Sequence, residues 1–313
     1  MARILVAGEL NVDIVLSGLP SLPVLGRELL GKDLRVTLGS SSAITAARLA
    51  LLGAQVDFAG IVGHDDFGQF ILRDLAYYGV GTQHIQQVGL STGATIALTY
   101  PHDRALLTYP GTITVFNGDM LTSERLKQYD HLHVGSFFLQ TSLQPVLPQV
   151  FHRANAMGLT VSLDVGWDPF EQWNANPYLA PTLAYTDFFF PNEVEVDVLA
   201  GNNEGDLIQL ASKVGILLIV KQGARGASAY TPQGNIVHTP AWSVEVVDTT
   251  GAGDAFNAGF LYAYCVQAAN LPQALRFATA CGSQAVTQVG GATGAPSAAA
   301  IEQFLQQYTE AQS

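Results

Sequence analysis

Residues 246–261 read Val-Val-Asp-Thr-Thr-Gly-Ala-Gly-Asp-Ala-Phe-Asn-Ala-Gly-Phe-Leu. The β-branched run gives way at Gly251-Ala252-Gly253 to good helix formers, which predicts a strand, a tight turn and a helix start. Small residues at Gly251, Ala252 and Gly253 let successive backbone N–H groups point into one concavity at a helix N-terminus, where the macrodipole favours an anion such as phosphate. Asp254 follows at once. A carboxylate there would repel bound phosphate unless it faces another group, and a substrate hydroxyl is the partner that would make it a general base. An ordinary dipole-compensating acid in a first helical turn would carry the same local sequence, so the rest of the chain has to decide.

Other polar groups stand where strands give way to loops. Residues 3–7 form an apolar run ending at Gly8, read as a buried parallel strand. Asn11 and Asp13 follow, two apart and so on one side of an extended chain, at the strand end where α/β folds bind ligands; a turn-stabilising Asn/Asp pair is the plainer reading. Gly39 and Ser40 open a small-residue loop that feeds an Ala/Leu-rich helix ending at Gly53, with serine suited to the N-cap. Asn192 and Glu195, after the aromatic run 188–190, have N-cap and capping-box spacing. Another buried strand runs into Lys221, Gly223 and Gly226, a glycine turn. Residues 26–33 come within one residue of a Walker A loop, but Asp33 replaces the Mg²⁺-holding hydroxyl and a strand follows where a helix is needed.

The run 248–260 resembles, position for position, the C-terminal signature of the ribokinase-like (PfkB) carbohydrate and nucleoside kinases. The resemblance extends over nearly the whole chain. It implies that Asp254 deprotonates the acceptor hydroxyl and that the amides of Gly251, Ala252 and Gly253 receive the charge on the transferring phosphoryl. It places the acceptor on Asn11, Asp13, Gly39 and Ser40. Asn192 and Glu195 are implied to act on Mg²⁺ and its waters. ATP phosphates and ribose fall at Lys221, Gly223 and Gly226, with Thr279 in a helix flanking adenine. Asp248, Thr250 and the loop 286–291 fall where relatives bind a monovalent cation such as K⁺. Segments 15–36 and 95–108, the latter read as a hairpin turning at 101–103, correspond to a β lid over the sugar that often serves as a homodimer interface.

Departures from the pattern gather on the acceptor side. Ser40 stands where a second glycine is common and Ile44 where asparagine is usual, and Ile44 has nothing to offer a hydroxyl. Gly166 and Asp168, after a strand ending in Asp164, replace an asparagine and an arginine, which argues against acidic acceptors clamped by that arginine. Lys221 replaces a small hydroxylated residue.

The chain has 313 residues, 48% hydrophobic and only 13% charged, with Asp+Glu 26 against Lys+Arg 14 and a formal net charge of -12. Nucleic acid and anionic membranes are poor partners for such a surface, although a local glycine loop with Mg²⁺ still binds ATP. No apolar stretch approaches the roughly 18 residues of a membrane span, no signal peptide is read at the start, and Cys265 and Cys281 read as buried thiols of a reducing cytoplasm. Alternating strands and helices predict one ribokinase-like domain over 1–313: a three-layer α/β/α sandwich with a mostly parallel sheet and a small β lid. The expected activity is ATP-dependent phosphorylation of a sugar hydroxyl. A nucleoside acceptor is the nearest alternative. A dinucleotide-binding oxidoreductase using Gly251-x-Gly253 is a distant one, since Phe256 stands where its third glycine belongs.

Overall fold

The computed structural model describes residues 2–100, 104–201, 203–288 and 290–310. Its strands, in chain order, are β1 (Arg3–Ala7), β2 (Asn11–Ser17), β3 (Asp33–Leu38), β4 (Gln55–Gly63), β5 (Gly81–Val88), β6 (Gly93–Thr99), β7 (Arg104–Tyr109), β8 (His131–Val134), β9 (Thr160–Leu163), β10 (Phe188–Phe189), β11 (Leu217–Lys221), β12 (Ala227–Tyr230) and β13 (Ile236–Thr239). Nine of them form one sheet in the order β13-β12-β11-β10-β9-β8-β1-β4-β5. Strands β11 to β5 in that order run parallel; β12 and β13 are antiparallel additions at one edge.

Alternation along these strands divides the core in two. Ile4 and Val6 point to one face and Leu5 and Ala7 to the other; Phe188 and Phe190 part from Phe189 in the same way. Helices Ser41–Leu51, Ala252–Leu261 and Leu271–Ala285 cover the first face, and Leu147–Ala156 and Glu204–Val214 cover the second. This is the expected three-layer sandwich. A strand buried on both sides has no reason to alternate polar with apolar residues, which is why β1 reads as an unbroken apolar run.

The small residues at 278–283 have a packing role. A Cβ built on Gly259 would come within 2.7 Å of Cys281 Sγ and 3.0 Å of Ala278 Cα, so helices Ala252–Leu261 and Leu271–Ala285 approach nearly backbone to backbone. Cys281 is buried and Cys265 only half-buried; both are free thiols.

A separate four-stranded sheet has the order β3-β2-β6-β7. It draws on the segments expected at 15–36 and 95–108 but begins earlier, at Asn11. Asn11 and Asp13 therefore lie on β2, and the first strand of the large sheet has already ended at Ala7. The hairpin partners β6 and β7 pair antiparallel, while the turn placed at 101–103 lies outside the described residues. The strand expected just before Gly251 is also absent. Residues 244–248 join no sheet; Val247 N and Asp248 N donate to Val286 O, at 2.7 Å and 3.2 Å, and Val246 and Val247 stay exposed.

Candidate active site

The C-terminal ends of the parallel strands gather the polar groups, as the topology requires. Glu9 follows β1, Gly135 follows β8, Asp164 follows β9, Asn192 follows β10 and Lys221 closes β11. Helix Ala252–Leu261 points its N-terminus at this edge. Gly251 is its N-cap with φ 74°, a left-handed conformation that suits glycine, and a Cβ there would lie 2.6 Å from Gly291 Cα. Asp254 thus occupies the first turn, with the residues 251–253 turn beside it.

Ser41 Oγ donates to Asp254 Oδ1 at 2.6 Å across 213 residues of sequence. Its neighbours fix that serine. Ser40 is the N-cap of helix Ser41–Leu51, its Oγ accepting from Ala43 N at 3.0 Å and donating to Glu9 O at 2.6 Å. Ser42 donates to the buried Glu9 carboxylate through N at 3.1 Å and Oγ at 2.6 Å, and its Oγ accepts from Gly135 N. The hydroxyl of Ser40 is thus committed to the fold, which argues against the direct acceptor contact expected of it. Burial pushes the Asp254 carboxyl up to about 7, opposed by the Ser41 bond.

Were Asp254 to take the acceptor proton it would do so only as the carboxylate, and kcat/KM would fall about tenfold per pH unit below about 7. Ser41→Ala removes a bond that favours the carboxylate and should move this acid limb upward by about one unit; an unmoved limb would detach the limb from Asp254.

The sequence pattern did not reveal the charge arrangement next to Asp254. Lys221 Nζ lies 2.5 Å from Asp164 Oδ2, and Asn257 Nδ2 donates to the same oxygen at 2.6 Å. Burial pulls the Lys221 ammonium down, but Asp164 and Glu195 outweigh it and hold it above its ordinary value. Burial likewise raises Asp164, and Lys221 with Asn257 more than reverses that. A Cβ on Gly253 would stand 3.5 Å from Lys221 Nζ, so the cation sits beside the anion turn. Asn192 and Glu195 form a reciprocal capping box, each backbone N donating to the other's side chain at 2.9 Å. Burial, then the charge of Asp164, pushes Glu195 up to about 7.

On the facing sheet, Asn11 Nδ2 donates to Asp13 Oδ1 at 3.1 Å and to Thr95 Oγ1 at 3.2 Å. Burial raises Asp13 to about 6. Any side chain on Gly39 would collide with this pair, which accounts for the glycine. Asp248 accepts from Thr250 N and Gly290 N, both at 2.9 Å, and these bonds outweigh burial to hold it below the usual carboxylate range. Gly223, Gly226, Thr279, Lys221 and Gly253 line a cavity of about 590 Å³, with Trp242 also in its wall, and it is large enough for a nucleotide.

The departures find structural reasons. Ile44 is buried against Gly291, holding the loop after 286. Asp168 is buried and accepts from Phe170, Gln172 and Trp173 backbone N–H groups at 2.7–2.9 Å, so it builds a turn and leaves no arginine there. Ser41, Asn257, Asp164 and Glu9 had no assigned role in the sequence reading. Asn257 alone carried a signal, three residues after Asp254 on one helix face.

A glycine turn at a helix N-terminus, a buried carboxyl beside it, a buried lysine and a cavity at the strand ends are the parts expected of a phosphotransferase of the ribokinase-like fold. The chain belongs to the pfkB family of carbohydrate kinases, whose model matches residues 1–298. It is 33% identical over 309 residues to the ATP-dependent ribose-1-phosphate kinase of Halopiger xanaduensis, covering 97% of this chain and 98% of that one. It is 27% identical over 308 residues to the ribokinase of Bacillus subtilis, covering 97% and 100%. The structure of fructokinase with bound ATP from Xylella fastidiosa superposes with a TM-score of 0.85 at 25% identity, covering 98% and 99%. The chain is an ATP-dependent carbohydrate kinase, phosphorylating a sugar hydroxyl. Family membership leaves no support for the dinucleotide-binding oxidoreductase.

Proposed function

We propose that the acceptor is a pentose held by Asn11 and Asp13, with Asp254 as the general base. Asp254 takes the hydroxyl proton, the oxygen attacks the γ-phosphorus of ATP, and the bond to the β–γ bridging oxygen breaks to release ADP. Amides of residues 251–253 and the Lys221 ammonium face the developing charge. The observation that carries this reading is the joining of Asp254, the glycine turn and Lys221 at one end of the cavity. The relationship to a ribose-1-phosphate kinase and a ribokinase supports a pentose. An ADP-release screen over ribose, ribose 1-phosphate, hexoses and nucleosides, with Asp254→Asn as the blank, tests it; turnover confined to hexoses or nucleosides would overturn the pentose.

Mg²⁺ fits beside Glu195, a carboxyl raised by burial and then by its acidic neighbour Asp164 and ready to ionise near a cation. Bound there through water, it would neutralise ATP phosphate charge. Glu195→Gln should raise the Mg²⁺ concentration for half-maximal rate by roughly tenfold. An unchanged titration would remove Glu195 from the metal. The Asp248 loop suits K⁺, its carboxylate keeping lone pairs beyond the two N–H groups it accepts.

The second sheet acts as the lid. Its register aligns Val36, Ile14, Ile96 and Leu107 in one row across four strands, and Val36, Ile96 and Leu107 are 42%, 41% and 57% exposed. We assign this row to a homodimer contact, which sedimentation at micromolar concentration tests. No described helix is long and apolar enough to cross a membrane. The free thiols and the use of ATP support the cytoplasm.

A further inference from the structure

We propose that Arg48 is a positioning residue for phosphoryl transfer, holding the Gly290-Gly291 loop against Gly251 and covering the negative end of a carbonyl that lies against the anion turn. This rests on the reading of residues 251–253 as the turn that receives the transferring charge, and adds what keeps that turn in place. Arg48 is only 4% exposed, and its Nε donates to Gly291 O at 2.8 Å across 243 residues. Gly291 in turn abuts the N-cap of helix Ala252–Leu261. A Cβ built on Gly251 would stand 2.6 Å from Gly291 Cα and 3.0 Å from Gly291 O, so the two backbones touch. A Cβ on Gly291 itself would collide with Ile44.

Helix Ser41–Leu51 therefore supports the site with one face, on which Ser41, Ile44, Thr45 and Arg48 recur at helical spacing. Ser41 Oγ reaches the Asp254 carboxylate and Thr45 Oγ1 lies 3.5 Å from Asp254 O, while Ile44 and Arg48 carry Gly291. Asp248 ties the same parts from another side. It accepts from Thr250 N, just before the turn, and from Gly290 N, just before Gly291. A turn of amides binds phosphate through its N–H dipoles, and a bare carbonyl oxygen against its N-cap glycine would oppose them. A guanidinium on that oxygen offsets the carbonyl dipole with a full charge and fixes its direction through a charge-assisted bond. Burial pulls the Arg48 guanidinium below its ordinary value, and the Asp254 carboxylate is among the groups that oppose this.

The test uses the full chain with Arg48→Met or Arg48→Lys, assayed where circular dichroism shows each variant folded. Steady-state rates are taken with ATP and the best acceptor of the ADP-release screen. Calorimetry gives the affinity for ADP with Mg²⁺, alone and with aluminium fluoride, which stands in for the transferring phosphoryl. Arg48→Met should lower kcat by about 10- to 30-fold and leave both KM values within about twofold. It should lose the same factor from the affinity gained on adding aluminium fluoride, while ADP alone binds as before. Arg48→Lys keeps the charge without the fork and should lie between, at least about threefold below the wild type. Wild-type kcat in folded Arg48→Met, or in Arg48→Lys where the methionine variant does not fold, would reduce Arg48 to packing and overturn the proposal. Equal weakening of ADP with and without aluminium fluoride would also overturn it, by placing the effect on nucleotide binding. A wild type whose ADP affinity does not rise with aluminium fluoride would overturn the anion-turn reading itself.

Discussion

Asp254→Asn should lower kcat by about 10³-fold, with ATP affinity nearly unchanged. The amide cannot take the hydroxyl proton, yet it keeps the shape of the helix start and can still accept from Ser41. Quench-flow or steady-state ADP release gives the rate, and calorimetric ATP titration gives the affinity. Loss of both together would mean that the turn had collapsed, and full turnover would exclude Asp254 as base. Stability should move the other way. The folded carboxyl titrates near 7, above its ordinary value of about 4, so folding stability declines as pH rises between these values. Asp254→Asn should therefore have the higher Tm at pH 8, with the gap closing toward pH 5. A residue that destabilises the fold where activity needs it is a common feature of active sites.

Lys221→Met should produce the largest loss of stability of any single change in the site. It leaves Asp164 buried with Asn257 but without its counter-ion, and removing one member of a buried pair costs about 3–5 kcal/mol. For a chain of 313 residues that is a fall of about 5–8 °C in Tm. Activity should fall as well, because the cation beside Gly253 is gone. The double variant Asp164→Asn/Lys221→Met removes both charges, so it should recover most of the Tm and little of the kcat. A double variant as unstable as Lys221→Met alone would show that the pair is not the source of the loss; full recovery of kcat would free Lys221 from phosphoryl transfer. The cycle separates the two roles because stability depends on pairing, whereas catalysis depends on the cation itself.

Much of the phosphoryl-transfer side was legible in the chain because it is local. The glycine turn and Asp254 are consecutive, and the turn conformation and the helix dipole need only neighbouring residues to form. The capping box of Asn192 and Glu195 spans four residues, and β1 announces its double burial by the lack of alternation. Even here one element failed: the β-branched run before Gly251 has strand propensity, but its N–H groups at Val247 and Asp248 donate to Val286 O and not to a strand.

Tertiary structure alone decided which distant groups share the site. Ser41 meets Asp254 across 213 residues, Lys221 meets Asp164 across 57, and Arg104 meets Thr250 across 146. No periodicity records such pairs, since each depends on how separate strand ends and a second sheet converge. Nor could spacing place Asn11 and Asp13, whose two-residue separation suits a loop after β1 as well as the lid strand they begin. The class of reaction was legible in the chain by itself, because the glycine turn, Asp254 and a helix terminus are contiguous. The fold decided the surroundings of Asn11 and Asp13 and the protonation of Asp254, because burial and charge at a carboxylate are sums over residues that only packing brings together.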